Sequence, residues 1–150
     1  MRKITILAGV FWISVASFGQ TTWTLDKNHT TIGFTTTHMV VSEVDGRFKE
    51  FDGKVVAKSD DFNGAQIEFT AQVASVSTEN ERRDNHLKSD DFFSAEKYPT
   101  IKFVGTLVKD GGKYKLKGKL TMRDVTKYVS FDVTYGGTVD TGRGTKAGFK

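Results

Sequence analysis

The histidines His29, His38 and His86 are the side chains best suited to acid–base or metal chemistry near neutral pH. None is spaced as H-x-H or H-E-x-x-H, so the sequence does not support a zinc site. The chain has no Cys, which removes a thiol nucleophile and any disulfide. It carries no G-x-S-x-G elbow either. Asp60-Asp61 and Asp90-Asp91 are acidic pairs at loop or helix-start positions, where carboxylates serve turns and caps. Glu79, Glu81 and Asp84 crowd one segment without a clear acid–base partner. A catalytic constellation needs a nucleophile, a base and an orienting group, and these residues do not assemble one. The sequence therefore predicts a protein that is not an enzyme and has no metal. What remains is the chemistry of apolar surface, and twelve Phe supply it.

The elements that position those rings read as strands. Tyr114, Leu116, Gly118, Leu120 and Met122 alternate with Lys115, Lys117, Lys119 and Thr121, giving one dry face and one wet face. Ile32, Phe34, Thr36 and His38 are in phase. So are Phe51, Gly53, Val55 and Ala57, and also Ile67, Phe69, Ala71 and Val73. Ile101, Phe103, Gly105 and Leu107 form a further set, as do Val129, Phe131, Val133 and Tyr135. Trp23 to Asp26 reads as a short first strand. Alternation of this kind favours antiparallel pairing.

Turn signals fall at Asp45-Gly46, Asp52-Gly53, Asn63-Gly64, Asp110-Gly111-Gly112 and Gly136-Gly137. Residues 78–93 break the pattern. Thr78 and Glu81 have capping-box spacing and predict a short helix through about His86 or Leu87. A second turn from Ser89 carries Phe92 and Phe93, and Val40 to Val44 reads as another single turn. Pro99, the one proline, stands just before a strand.

Residues 1–19 read as a signal peptide. Arg2 and Lys3 precede the apolar run Ile4 to Val15, and Ser17 and Gly19 suit a cut after Gly19. The apolar run is shorter than the roughly 20 residues that span a bilayer. The sequence thus predicts a periplasmic or secreted domain over residues 20–150. Loss of Arg2 and Lys3 lowers the formal charge of +4 by two, too little to imply a nucleic-acid partner.

Gly53, Gly105 and Gly118 occupy inward positions in mid-strand, beside Phe51, Phe103 and Leu116. Two readings stand. Glycines here widen an interior that holds a ligand, or they mark bulges in a packed sheet.

Several segments in order resemble the YceI-like family of periplasmic proteins, known for binding polyisoprenoids. They are Trp23-Thr24-Leu25-Asp26 with His29, residues 32–38 ending in His38, Gly46-Arg47-Phe48 and Phe51-Asp52-Gly53. The longest runs from Ala74 to Phe103, with Arg83-Asp84-Asn85-His86-Leu87, Asp91-Phe92-Phe93 and Tyr98-Pro99. Gly118-Lys119-Leu120-Thr121-Met122 with Val125-Thr126-Lys127 completes the series. The resemblance implies an all-β, antiparallel, lipocalin-like barrel with a short helical insertion and a long hydrophobic pore. The implied ligand is an isoprenoid quinone, a polyprenyl chain or a fatty amide. Family members continue past a Gly-Phe strand, whereas this chain stops at Ala147-Gly148-Phe149-Lys150. The expectation is a barrel short of its final strand or strands. A homodimer is also compatible with the resemblance.

On this reading Phe34, Phe51, Ile67, Phe69, Val73, Ile101, Phe103, Leu116, Leu120, Phe131 and Val133 line the tunnel, and His38 stands at its mouth. His38 either bonds a ligand head group or is satisfied by backbone. Arg83 and His86 lie on a helix that either covers an opening or presents a solvated face. The row of Lys115, Lys117 and Lys119 either contacts anionic membrane surface transiently or is an ordinary wet face. The competing function is a non-catalytic surface interaction module with a filled β-sandwich core.

Overall fold

A computed structural model describes residues 19–39 and 41–150. Residues 1–18, which hold nearly all of the expected signal peptide, lie outside the described residues. The strands are β1 (Thr21–Thr24), β2 (Ile32–His38), β3 (Ser42–Phe48), β4 (Phe51–Ala57), β5 (Gln66–Gln72) and β6 (Val76–Ser77). After helix α1 (Glu81–Lys88) come β7 (Thr100–Asp110), β8 (Lys113–Met122), β9 (Val125–Val133), β10 (Tyr135–Asp140) and β11 (Thr145–Phe149). Every strand pair is antiparallel. No helix among the described residues is long and apolar enough to cross a membrane.

Strands β1-β4-β5-β7-β8-β9 form one sheet and β2-β3-β6 another. The two are continuous round a bend. Lys49 and Glu50 separate β3 from β4, and the 3-10 turn Val73–Ser75 separates β5 from β6. Across the bend Lys49 N–H donates to the Ser75 carbonyl at 3.1 Å, and Gln72 N–H donates to Glu50 at 2.8 Å. The ladder is therefore carried through, with extra residues on both strands that bend it sharply. β1 and β2 both pair with the long β3–β4 strand, one on each side of the bend.

Alternation decides which side chains enter the core. In β7, Ile101, Phe103, Gly105 and Leu107 are buried while Lys102 and Val104 are exposed. The β7–β8 turn is the expected one. Gly111 and Gly112 both have positive φ, +54° and +87°, as a two-residue type I′ connection requires.

Five local expectations are corrected. Val41 forms a turn, but Ser42 to Val44 begin strand β3, and Asp45-Gly46 lies inside that strand. The reason is packing: a Cβ on Gly46 would sit 2.3 Å from Cζ of Phe34, so glycine seats that ring. Asp52-Gly53 is likewise within β4, and the chain bends at Lys49-Glu50 instead. Gly136-Gly137 is a bulge in β10 where the pairing slips between Tyr135 and Gly137. The helix cap is Asn80, whose side chain accepts from Arg83 N–H at 3.0 Å, so Thr78 and Glu81 do not form a capping box. Thr78 pairs with Asp84 instead, which accepts from its amide at 2.7 Å and its hydroxyl at 2.6 Å.

Candidate functional site

The inward residues of the strands gather into two buried groups. Phe34, Phe51, Val73, Ile101 and Leu120 pack with Phe48, Ala71 and Val76. Ile67, Leu116 and Val133 pack with Ala57, Phe62, Ala65, Leu107 and Tyr114. The remaining rings form a row: Phe69 stacks on Phe103 at 5.3 Å, and Phe103 meets Phe131 edge-on at 5.9 Å. Phe103 is fully buried, whereas Phe131 on β9 is 44% exposed. His38 ends β2 opposite Ser42, and its side chain lies outside the described residues.

Gly105 and Gly118 face each other across β7 and β8. A Cβ on either would fall within 2.8 Å of Phe103 Cζ. The volume these glycines release is thus taken up by the Phe103 ring. Gly53 sits under Leu25, whose Cδ1 would be 3.1 Å from an added Cβ.

Open space lies instead between the β1 edge and the β10–β11 hairpin. This cleft has a volume of about 700 Å³, within the usual range for small-molecule sites. Trp23 and Leu25 wall it on one side, Ala147 and Phe149 on the other, with Val55 and Phe62 below. Phe62 comes from the β4–β5 loop and is 2% exposed. Its ring meets Trp23 at 5.1 Å, Phe149 at 5.0 Å and Tyr135 at 5.7 Å. Tyr114 holds the loop in place by donating its hydroxyl to the Asp61 carbonyl at 2.7 Å. Sequence alternation cannot find Phe62, because it belongs to no strand. Two further openings, of about 610 and 720 Å³, flank the same aromatic group, and Val133 lines the smaller.

The polar edge of the cleft is Asp26, His29 and Lys146. Lys146 Nζ donates to Asp26 Oδ2 at 2.5 Å, and His29 Nδ1 lies 3.0 Å from the same oxygen. Asn28 N–H donates to Oδ1 at 3.2 Å. The bond from Lys146, and then that from His29, lowers the Asp26 carboxyl to about 2. The sequence shows Asp26 and His29 close together, but Lys146 joins them only through the fold. Arg83 is spent on Thr78, donating to its hydroxyl at 2.7 Å and its carbonyl at 2.8 Å. His86 bonds Asp91 at 3.2 Å and packs edge-on against Phe92. Among the described residues no group of three or more His, Cys, Asp or Glu is arranged to hold a metal ion.

Known proteins resemble this chain in sequence and in fold. A UPF0312 protein of Staphylococcus aureus is 38% identical over 118 residues, covering 79% of this chain and 67% of its own. A UPF0312 protein of Photorhabdus laumondii is 36% identical over 157 aligned positions, covering all of this chain and 82% of its own. The crystal structure of a Campylobacter jejuni YceI protein matches with a TM-score of 0.68 at 37% identity, over 85% of this chain and 76% of that one. A polyisoprenoid-binding domain from Saccharophagus degradans shares the fold alone, with a TM-score of 0.57 at 14% identity over 76% of this chain and 67% of that one. The YceI-like domain profile matches residues 23–150, so the chain belongs to the YceI-like domain family.

Proposed function

We propose that this protein is an exported, non-catalytic carrier or storage protein for a long apolar ligand: an isoprenoid quinone, a polyprenyl chain or a fatty amide. The observation that supports this most is the cleft of about 700 Å³, walled largely by aromatic and aliphatic side chains with threonines among them and Asp26, His29 and Lys146 at its edge. The related fold of a domain described as binding polyisoprenoid points the same way. Burying a CH₂ contributes roughly 0.8 kcal/mol, so a few isoprene units supply on the order of 10 kcal/mol of gross transfer. Ordering and association costs offset much of it. The pattern of residues 1–19 supports export.

The test is mass spectrometry of an organic extract of the purified protein, followed by titration of the stripped protein with a quinone and a polyprenol. A co-purifying lipid and saturable rebinding are expected. A clean extract together with no rebinding overturns the reading.

The Phe69–Phe103–Phe131 row favours a second reading, a filled β core that acts through its surface. On that reading the stripped protein binds a partner protein with the same affinity whether or not lipid is added.

A further inference from the structure

Two open spaces back onto one ring. The cleft of about 700 Å³ and the neighbouring opening of about 720 Å³ share Trp23, Phe62, Thr138 and Thr145 as walls. Trp23, Thr138 and Thr145 belong to strands β1, β10 and β11, whereas Phe62 comes from the loop between β4 and β5. That loop is fixed rather than free to swing. Gly64 N–H donates to the Leu107 carbonyl at 2.8 Å, and Leu107 N–H donates to the Ala65 carbonyl at 2.9 Å, which ties the loop to β7. Lys109 N–H donates to Asn63 Oδ1 at 3.0 Å. Phe62 itself has a φ of +56°, a left-handed conformation that bulky residues rarely adopt, so the surrounding fold holds it there. Its ring stands among those of Trp23, Tyr135 and Phe149. Phe62 also belongs to one buried group with Ala57, Ala65 and Leu107, and those three line neither space. A chain lying in the cleft therefore meets a fixed ring that packed core backs and that a second space borders.

We propose that Phe62 is a stop that sets the length of chain the cleft accepts. This rests on the carrier reading above. Each isoprene unit that enters the cleft leaves water and adds affinity until the leading end reaches the ring. Units beyond that number stay outside the mouth and gain little. The ring does not yield easily, because its neighbours are close-packed and its loop is tied to β7. Truncating the side chain removes a wall that the two spaces share and gives a longer chain room to run from one into the other.

The experiment offers stripped protein two equimolar ladders, polyprenols and isoprenoid quinones whose members differ by one isoprene unit. Native mass spectrometry identifies the bound chains, since mass reports length, and whichever ladder binds is scored. In the wild type, relative occupancy should rise on the order of tenfold per unit, once ordering costs are set against the transfer gain, and then level off. Phe62→Leu should move the levelling length to longer chains, and Phe62→Ala should move it further. Phe62→Ala empties a buried aromatic site, so Phe62→Leu decides the matter if the alanine variant does not fold. Phe48→Leu is the control. It trims a similarly buried ring in the other buried group that lines neither space, so it should lower Tm without moving the levelling length. A levelling length that stays put in Phe62→Leu, or that moves as far in Phe48→Leu, overturns the stop and leaves the carrier reading intact. Occupancy that climbs in the wild type without levelling does the same. Failure of both ladders to bind the wild type overturns the stop and the carrier reading together.

Discussion

Gly105→Ala and Gly118→Ala test whether the middle of the sheet is filled. At Gly105 an added Cβ would lie 2.5 Å from the Lys117 carbonyl oxygen and 2.6 Å from Phe103 Cζ. At Gly118 it would lie 2.3 Å from the Val104 carbonyl oxygen and 2.5 Å from Gly105 Cα. Contacts this short must relax, and here much of the relaxing is backbone in a paired strand. Two effects oppose each other. Alanine stabilises by about 0.4–1 kcal/mol through the unfolded chain where its conformation is allowed. Overpacking a close-packed core costs about 1–3 kcal/mol. The clash wins, with a net loss of about 2 kcal/mol at Gly105 and more at Gly118. For a domain of this size that lowers Tm by about 8 °C. Gly148→Ala is the control, since nothing lies within 4 Å of its added Cβ, and it should change stability by less than about 0.5 kcal/mol. Phe103→Leu in the Gly105→Ala background should restore part of the loss, because the ring is one of the two obstacles and the Lys117 carbonyl is the other. Thermal and urea denaturation of the five proteins measures all of this. If Gly105→Ala is as stable as the wild type, the ring does not fill the space beside these glycines, and the interior there is roomy enough to hold a ligand.

Two further outcomes follow from the same physics. Asp84 is the buried residue of helix α1; burial pushes its carboxyl up, but the Thr78 hydroxyl and amide outweigh it and hold it below the usual range. A depressed folded-state value contributes stability above the unfolded carboxylate range, near pH 4, and that contribution is lost as pH falls through the lower folded value. Asp84→Asn should therefore flatten part of the acid limb of a stability–pH curve, and Asp84→Ala should cost about 1–3 kcal/mol at pH 7 by leaving the Thr78 amide unpaired; identical acid limbs for wild type and Asp84→Asn contradict the assignment. Amide hydrogen exchange should be faster in β10 and β11, a two-stranded pair, than in β7, which is paired on both sides; equal protection would mean that the cleft has two rigid walls.

The strands were legible where one face is dry and the other wet. β8 alternates over its whole length and β7 from Ile101 to Leu107 on its inner face, and their register follows from the Gly111-Gly112 turn. β3 was not legible. Glu43, Asp45 and Arg47 put charge on its outer face, Gly46 removes an apolar marker from its inner face, and Asp-Gly is otherwise a turn signal. The helix is legible to within about a residue, but its cap is not, because Thr78 and Asn80 both offer capping chemistry and the tertiary pairing of Thr78 with Asp84 leaves the cap to Asn80. The candidate site was legible as an apolar inventory and not as a place. Phase tells which residues face inward, yet it cannot say whether they line a space or fill it. Phe62 has no phase to read, and it adopts a positive φ of +56°, which local preference disfavours. Lys146 is far from Asp26 in sequence, so their contact is a product of topology alone.

The two sides of the cleft are built differently, and this difference bears on how a ligand would enter. The β1 side belongs to the six-stranded sheet, where Trp23 and Val55 pair directly in register and back onto the second buried group. The other side is a hairpin whose pairing partner is only itself, with glycine at 136, 137 and 148, where backbone rather than side chain faces the space. The Thr134–Lys150 backbone pair closes the base of that hairpin. Among the described residues, aromatic packing holds it to the body, with Phe149 and Tyr135 on Phe62 and Tyr135 on Tyr114, and Lys146 reaches Asp26 across the mouth. The aromatic contacts gather on the buried Phe62 at the floor and do not depend on the cleft being empty. The ion pair spans the opening between partly exposed groups, and such pairs hold weakly. Widening the mouth therefore breaks the weakest tie first and leaves the aromatic floor intact. On the carrier reading, a wall closed at its base and latched at its mouth by one solvated ion pair would admit a long chain end-on at small cost.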